Sequence, residues 1–198
     1  MNRLFTISIA VFLLSTASLA QTKPMDYLHV PGPIVFDGKS YLLNWSAHPS
    51  ANFYKQEYIQ KGELADKYKT MILLDVITGQ SNIKEVVSAK IAELKELKKN
   101  NPVINYEIMD NPKSGEYILD FLLTASTPDG KDISIVERNV YRYKLITDKS
   151  GQKGILLFGA STRGYNPEVD KFFAGLKSNR KNLISSVAQF AIPEISLK

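Results

Sequence analysis

The chain has 198 residues, 25 basic and 20 acidic side chains for a formal charge of +5, and no cysteine. The missing thiol excludes disulfides, thiol nucleophiles, zinc knuckles, iron–sulfur sites and a thioether lipid anchor. Composition and length fit one globular domain with no low-complexity tract and no repeat at solenoid periods, and a chain of about 150 residues buries roughly 70% of its unfolded surface, enough to fold on its core alone.

The first segment, MNRLFTISIAVFLLSTASLAQ, has Arg3, an uncharged and mostly apolar run from Leu4 to Leu14, and the small residues Ser18 and Ala20 flanking Leu19. This is the pattern of a secretory signal peptide over residues 1–20, cut after Ala20. The run is too short to span a bilayer, which takes about 20 apolar residues. The expected protein is therefore exported, either to the periplasm of a Gram-negative cell or outside it, and is not a lipoprotein. Residues 21–33, with prolines at 24, 31 and 33, read as an extended lead-in, and residues 34–198 as a single α+β domain.

Within that domain PIVFDGKSYLLNW predicts a hairpin turning at Asp37-Gly38, followed by a loop at HPSAN and by strands NFYKQEYIQ and YKTMILLDVI. The segment SNIKEVVSAKIAELKELKKN predicts a helix: Ile83, Val86, Val87, Ile91, Leu94 and Leu97 recur at helical spacing. Asn82 and Glu85 form a capping box, and Asn100, Asn101 and Pro102 stop the helix. Strands VINYEIM, EYILDFLLTA, ISIVERNVYRYKLI and GILLFGAST follow, separated by Asn111-Pro112, Asp129-Gly130 and Ser150-Gly151. A closing helix begins at NPEVDKFF, with Asn166 as cap and Pro167 in the first turn, and KSNRKN at 177–182 is a place for it to bend. The order is ββββ-α-ββββ-α with short connections, an antiparallel sheet of seven to eight strands in an α+β fold. MILLDVI and GILLFGA are nearly continuous apolar runs, which predicts central strands covered on both faces.

This succession, from FDGKSYLL through KEVVSAKIAELKELKK, NPVINYEI and EYILDFLLTASTPDGKDISIVERNVYRY to the closing helix, resembles the PsbP-like superfamily. That superfamily of α-β-α sandwiches includes small exported bacterial proteins of the DcrB and LpqN type. The resemblance covers residues 34 to 190 in layout and carries no diagnostic motif. It implies a non-catalytic binding or accessory role.

Several groups are candidates for chemistry. Alternation along NFYKQEYIQ puts Phe53, Lys55, Glu57 and Ile59 on one face and Tyr54, Gln56, Tyr58 and Gln60 on the other. Tyr54 and Tyr58, with Trp45 nearby, are expected to form a ligand-binding exposed aromatic patch or pocket. Arg163 is expected to contact a ligand, since a guanidinium holds carboxylate or phosphate bidentately. A serine hydrolase would need Ser161, His48 and an aspartate to converge. The stretch Gly159-Ala160-Ser161-Thr162-Arg163-Gly164 is one residue too long for a Gly-x-Ser-x-Gly elbow. His29 and His48 lie in no metal-binding motif. Asp75 and Asp120 interrupt apolar strands, and Arg138 or Arg142 is placed to pair with them as a structural ion pair. No catalytic residue, metal or cofactor is assigned. Three functions stay open: an exported binding or accessory module for a small molecule or protein, a periplasmic immunity or inhibitor protein directed at a toxin, and a cryptic serine hydrolase. Nucleic acid is not an expected partner. Contact with an anionic envelope surface is compatible with the basic balance.

Overall fold

The computed structural model describes residues 23–80 and 82–197, so the expected signal peptide lies outside the described residues. The elements are β1 (Ile34–Phe36), β2 (Lys39–Ser50), β3 (Phe53–Gln60), β4 (Thr70–Thr78), α1 (Ile83–Asn100), β5 (Asn105–Asn111), β6 (Glu116–Ser126), β7 (Ile133–Thr147), β8 (Lys153–Tyr165) and α2 (Val169–Gln189). Among the described residues the eight strands form one curled antiparallel sheet in the order β1-β2-β3-β4-β8-β7-β6-β5. The expected α+β order and antiparallel pairing are both present.

The apolar runs behave as expected from their composition. MILLDVI in β4 and GILLFGA in β8 pair with each other at the middle of the sheet. At the β1–β2 turn Asp37 and Gly38 have φ of 46° and 71°. Two successive positive φ values match the twist of the flanking strands, which is why Asp-Gly is a strong hairpin signal.

The helices cover opposite faces. Leu183, Ile184 and Val187 of α2 pack with Tyr54, Tyr58, Ile72, Leu74, Val140, Phe158 and Ala160 on one face, together with Leu28 and Val30 of the N-terminal segment and Ile195 of the C-terminal tail. Ile83, Val87 and Leu94 of α1 pack on the other face with Leu119, Phe121, Tyr143 and Ile155. The Asn82 side chain accepts from the Glu85 amide, which is half of the expected capping box; the reciprocal bond runs from the Asn82 side-chain Nδ2 to Glu85 Oε1, where a capping box uses the backbone amide. Asn101 closes the helix.

Two boundary expectations differ. HPSAN is not all loop, because β2 continues to Ser50 and the reversal falls at residues 51–52. The cap of α2 is Glu168, not Asn166. The Glu168 amide closes a turn on Tyr165 O at 2.7 Å, so helical geometry starts only after it. Beyond that point α2 runs unbroken through KSNRKN.

Candidate functional site

The strand β3 decides where the side chains go. Tyr54, Gln56 and Tyr58 do share a face, but it is the core face. Tyr58 is fully buried and Tyr54 keeps 6% exposure. Their expected role as an exposed aromatic surface is thereby corrected. The N-terminal segment lies over them, tied down by Gln56, which accepts from the Leu28 amide at 2.9 Å and donates to Val30 O at 3.4 Å. The Tyr58 hydroxyl donates to the same carbonyl at 2.6 Å. Burial pushes the Tyr58 phenol well above its ordinary value, so it stays a neutral donor.

Trp45 meets the opposite face. Leu43 pairs with Tyr58, yet Trp45 pairs with Glu57, because the ladder shifts by one residue at Asn44. In strict alternation residues 43 and 45 would point the same way. The bulge sends Leu43 to the core and Trp45 to the α1 face, 40% exposed. Trp45 therefore shares a face with Glu57 and does not join Tyr54 and Tyr58.

From Trp45 the cross-strand row runs through Glu57, Leu73, Gly159 and Tyr141. Gly159 is there for space: a Cβ on it would lie 2.8 Å from Tyr141 Cδ1. One step along, Lys55 stands opposite Asp75 and its ammonium reaches Oδ2 at 2.7 Å. Asp75 keeps 8% exposure, and its Oδ1 is buried without a hydrogen-bond partner. Glu57 has no hydrogen bond or ion pair to another described residue. Burial pushes its carboxyl up to about 7; Lys55 pulls it back and Asp75 adds to the rise. Burial likewise raises Asp75, against the pull of Lys55.

Farther along the same face Arg163 is paired with Glu137 and lies over the Tyr68 ring at 4.2 Å from its centroid. The Tyr68 hydroxyl donates to Glu137 Oε2 at 2.7 Å. Arg163 thus locks the β3–β4 connection onto β7 and β8, and its guanidinium is occupied by protein where a ligand contact was expected.

The hydrolase groups do not converge. Ser161 is 2% exposed and donates to Asn139 Oδ1 at 2.5 Å. Asp75 is on the same face but four positions away along the β4–β8 ladder, about 13 Å at strand rise. His48 stacks on Tyr54 at 4.1 Å, three strands off, with Nδ1 at 2.9 Å from Phe53 O. Asp120 is on the α2 face, where Arg138 holds it from Nε at 2.9 Å and Nη2 at 3.1 Å. Arg180 Nε adds a third bond at 3.0 Å. The expected structural ion pair is present at Asp120, whereas Asp75 takes a lysine. Arg142 pairs with Glu116 instead. No group of three or more His, Cys, Asp or Glu among the described residues is arranged to hold a metal, and no described helix is long and apolar enough to cross a membrane.

What remains as a site is the Trp45–Glu57–Asp75 region, in which an exposed indole, a carboxylate with no hydrogen bond or ion pair among the described residues and an under-solvated carboxylate share one face of β2, β3 and β4. Glu57 carried only a weak signal in the sequence: a carboxylate between Gln56 and Tyr58 on a strand, sharing a face with Lys55. A protein-family model matches residues 28–192. No curated protein and no solved structure matches the chain.

Proposed function

Starting from a chain that belongs to the family whose model spans residues 28–192, we propose that it is an exported, non-catalytic binding protein using the sheet face around Trp45 and Glu57. The observation that carries this reading is the juxtaposition of a 40% exposed tryptophan with a carboxylate that makes no hydrogen bond or ion pair to another described residue. Protein interiors rarely leave such a group uncompensated, and a charged group without a partner in a partly buried setting is a recurring mark of a binding site. The export half of the reading rests on the signal-like pattern of residues 1–20.

The same layout supports placing the fold among the PsbP-like sandwiches, since ββββ-α-ββββ-α with one helix on each face is the expected arrangement. The second contact surface we propose is weaker and electrostatic. Lys95, Lys98 and Lys99 line a groove of about 470 Å³ beside Asn105 and Tyr106, a basic surface suited to anionic envelope components.

Two measurements test the main reading. Cell fractionation with mass spectrometry of the mature chain is expected to find it outside the cytoplasm, beginning at Gln21. Fractions of envelope extract are then screened for a rise in the melting temperature of the wild-type protein that is absent in Trp45→Ala. A cytoplasmic full-length chain overturns export. Equal responses from both proteins in every fraction, or no response in any, overturn the binding face.

A further inference from the structure

The charges around Glu57 do not cancel. Those that act on it or pack beside it are Lys55 on β3, Asp75 on β4, Glu137 on β7 and Arg163 on β8, with Lys90 and Glu93 of α1 reaching Asp75 and Tyr143. Lys90 and Glu93 neutralise each other at 3.0 Å, and Arg163 neutralises Glu137. Lys55 neutralises one of Asp75 and Glu57, and it holds Asp75 through Oδ2 alone. One full negative charge is left over when all of these groups are ionised. It sits where Trp45 offers an exposed ring on the neighbouring strand. Asp75 contributes an acceptor oxygen, Oδ1, that is nine-tenths buried with its residue and has no donor.

We infer that Glu57, Asp75 and Trp45 form a binding site for a small organic monocation, a protonated alkylamine. The inference rests on the proposed binding face and adds the ligand's chemical class. An ammonium supplies what each member lacks: a positive charge for Glu57, a donor for the under-solvated Asp75, and a cation for the face of the indole. A carboxylate or phosphate ligand would add to the excess charge. A neutral ligand would leave the ionised form of Glu57, which prevails above about pH 7, without a counter-charge in a partly buried setting. Lys55 is the internal competitor, since its ammonium occupies Oδ2 and must share Asp75 with the ligand or swing toward Glu57 two residues along its own strand. A second expectation follows from that competition: removing Lys55 strengthens amine binding, a result that loss of a merely structural ion pair would not give.

Trp45 is the sole tryptophan of the chain, so intrinsic fluorescence reports on the site alone. The protein is titrated with n-butylammonium chloride, 1-butanol and sodium butyrate at matched ionic strength and pH 8. The expected result is a saturable change in Trp45 emission with butylammonium in the millimolar range and none with the other two. Affinity falls at least tenfold in Glu57→Gln and rises several-fold in Lys55→Met. At pH 5.5, where Glu57 carries its proton, wild-type binding weakens toward that of Glu57→Gln. Glu57→Gln removes a buried charge and is expected to fold, which circular dichroism checks; Asp75→Asn, followed by calorimetry, is the second variant. An equal response to butanol or butyrate overturns the cationic assignment while leaving the binding face in place. Silence toward all three probes, or unchanged affinity in both carboxamide variants, overturns the assignment outright, and the extract screen with Trp45→Ala then judges the face independently.

Discussion

Arg138 donates two hydrogen bonds to Asp120, and both residues are at least 95% buried between the sheet and α2. A second guanidinium, Arg180, and the Arg180 carbonyl complete the arrangement, the carbonyl accepting from Arg138 Nη2 at 2.8 Å. Breaking such a pair leaves a charge with no solvent, so Asp120→Ala is expected to cost about 3–5 kcal/mol by denaturant unfolding. Replacing the pair together, Asp120→Leu with Arg138→Met, is expected to recover most of that loss, since an apolar pair has no desolvation penalty. A double variant no more stable than the single one would contradict this account.

Glu57 makes stability depend on pH in a definite direction. Its carboxyl titrates near 7 in the folded chain against 4.5 ordinarily, chiefly through burial, so the folded state binds the proton more tightly than the unfolded one. Its contribution to stability is complete below about 4.5 and is lost as the pH rises through about 7. Asp75, also raised, acts with the same sign. Asp129 and Asp148 are lowered by hydrogen bonds from Thr127 and Ser150, and so act only in acid, where their contribution is lost as the pH falls. Calorimetry from pH 5 to 8 should show wild type losing about 3 to 6 °C relative to Glu57→Gln. Parallel curves for the two proteins would rule out the raised carboxyl.

Gln56 is fully buried and bridges β3 to the N-terminal segment through Leu28 and Val30. Gln56→Leu strands the Leu28 amide and leaves the Val30 carbonyl to Tyr58 alone. The expected loss is about 1–3 kcal/mol. Hydrogen exchange at the Leu28 amide is expected to accelerate more than exchange in β4, because local release of the segment precedes global unfolding. Tyr58→Phe, which removes the donor to Val30, should produce a smaller loss of about 1 kcal/mol.

Gly159 carries the Tyr141 ring across β8. The methyl of Gly159→Ala meets that ring at 2.8 to 2.9 Å, too close for any real contact, so Tyr141 must move. The cost is expected at about 1–3 kcal/mol. Displacement of Tyr141 is visible as a shift in its ring resonances by nuclear magnetic resonance; an unshifted ring would show that the backbone absorbs the methyl instead.

Much of the fold was legible along the chain because the signals were local. The apolar runs of β4 and β8, the Asn82-Glu85 cap of α1 and the Asp37-Gly38 turn each act within a few residues, and each appears where the pattern places it. Even the pairing of Asp120 with an arginine on the next strand was readable, since a carboxylate inside an apolar strand requires a partner.

Which face of a strand is covered is a different kind of question. Alternation in FYKQEYIQ separates Tyr54, Gln56 and Tyr58 from Lys55 and Glu57, but either set can face a core when tyrosine and glutamine can satisfy their polar ends on a passing backbone. The N-terminal segment supplies those backbone groups at Leu28 and Val30, a contact across 26 to 28 residues. Likewise a one-residue bulge at Asn44 re-aims Trp45 from the tyrosines to Glu57. The sequence by itself determined the elements, their order and the need to pair buried charges, because those follow from local sterics and solvation. Only the tertiary structure decided which side chains met, because register, bulge and the path of the lead-in are set by packing between segments distant in the chain.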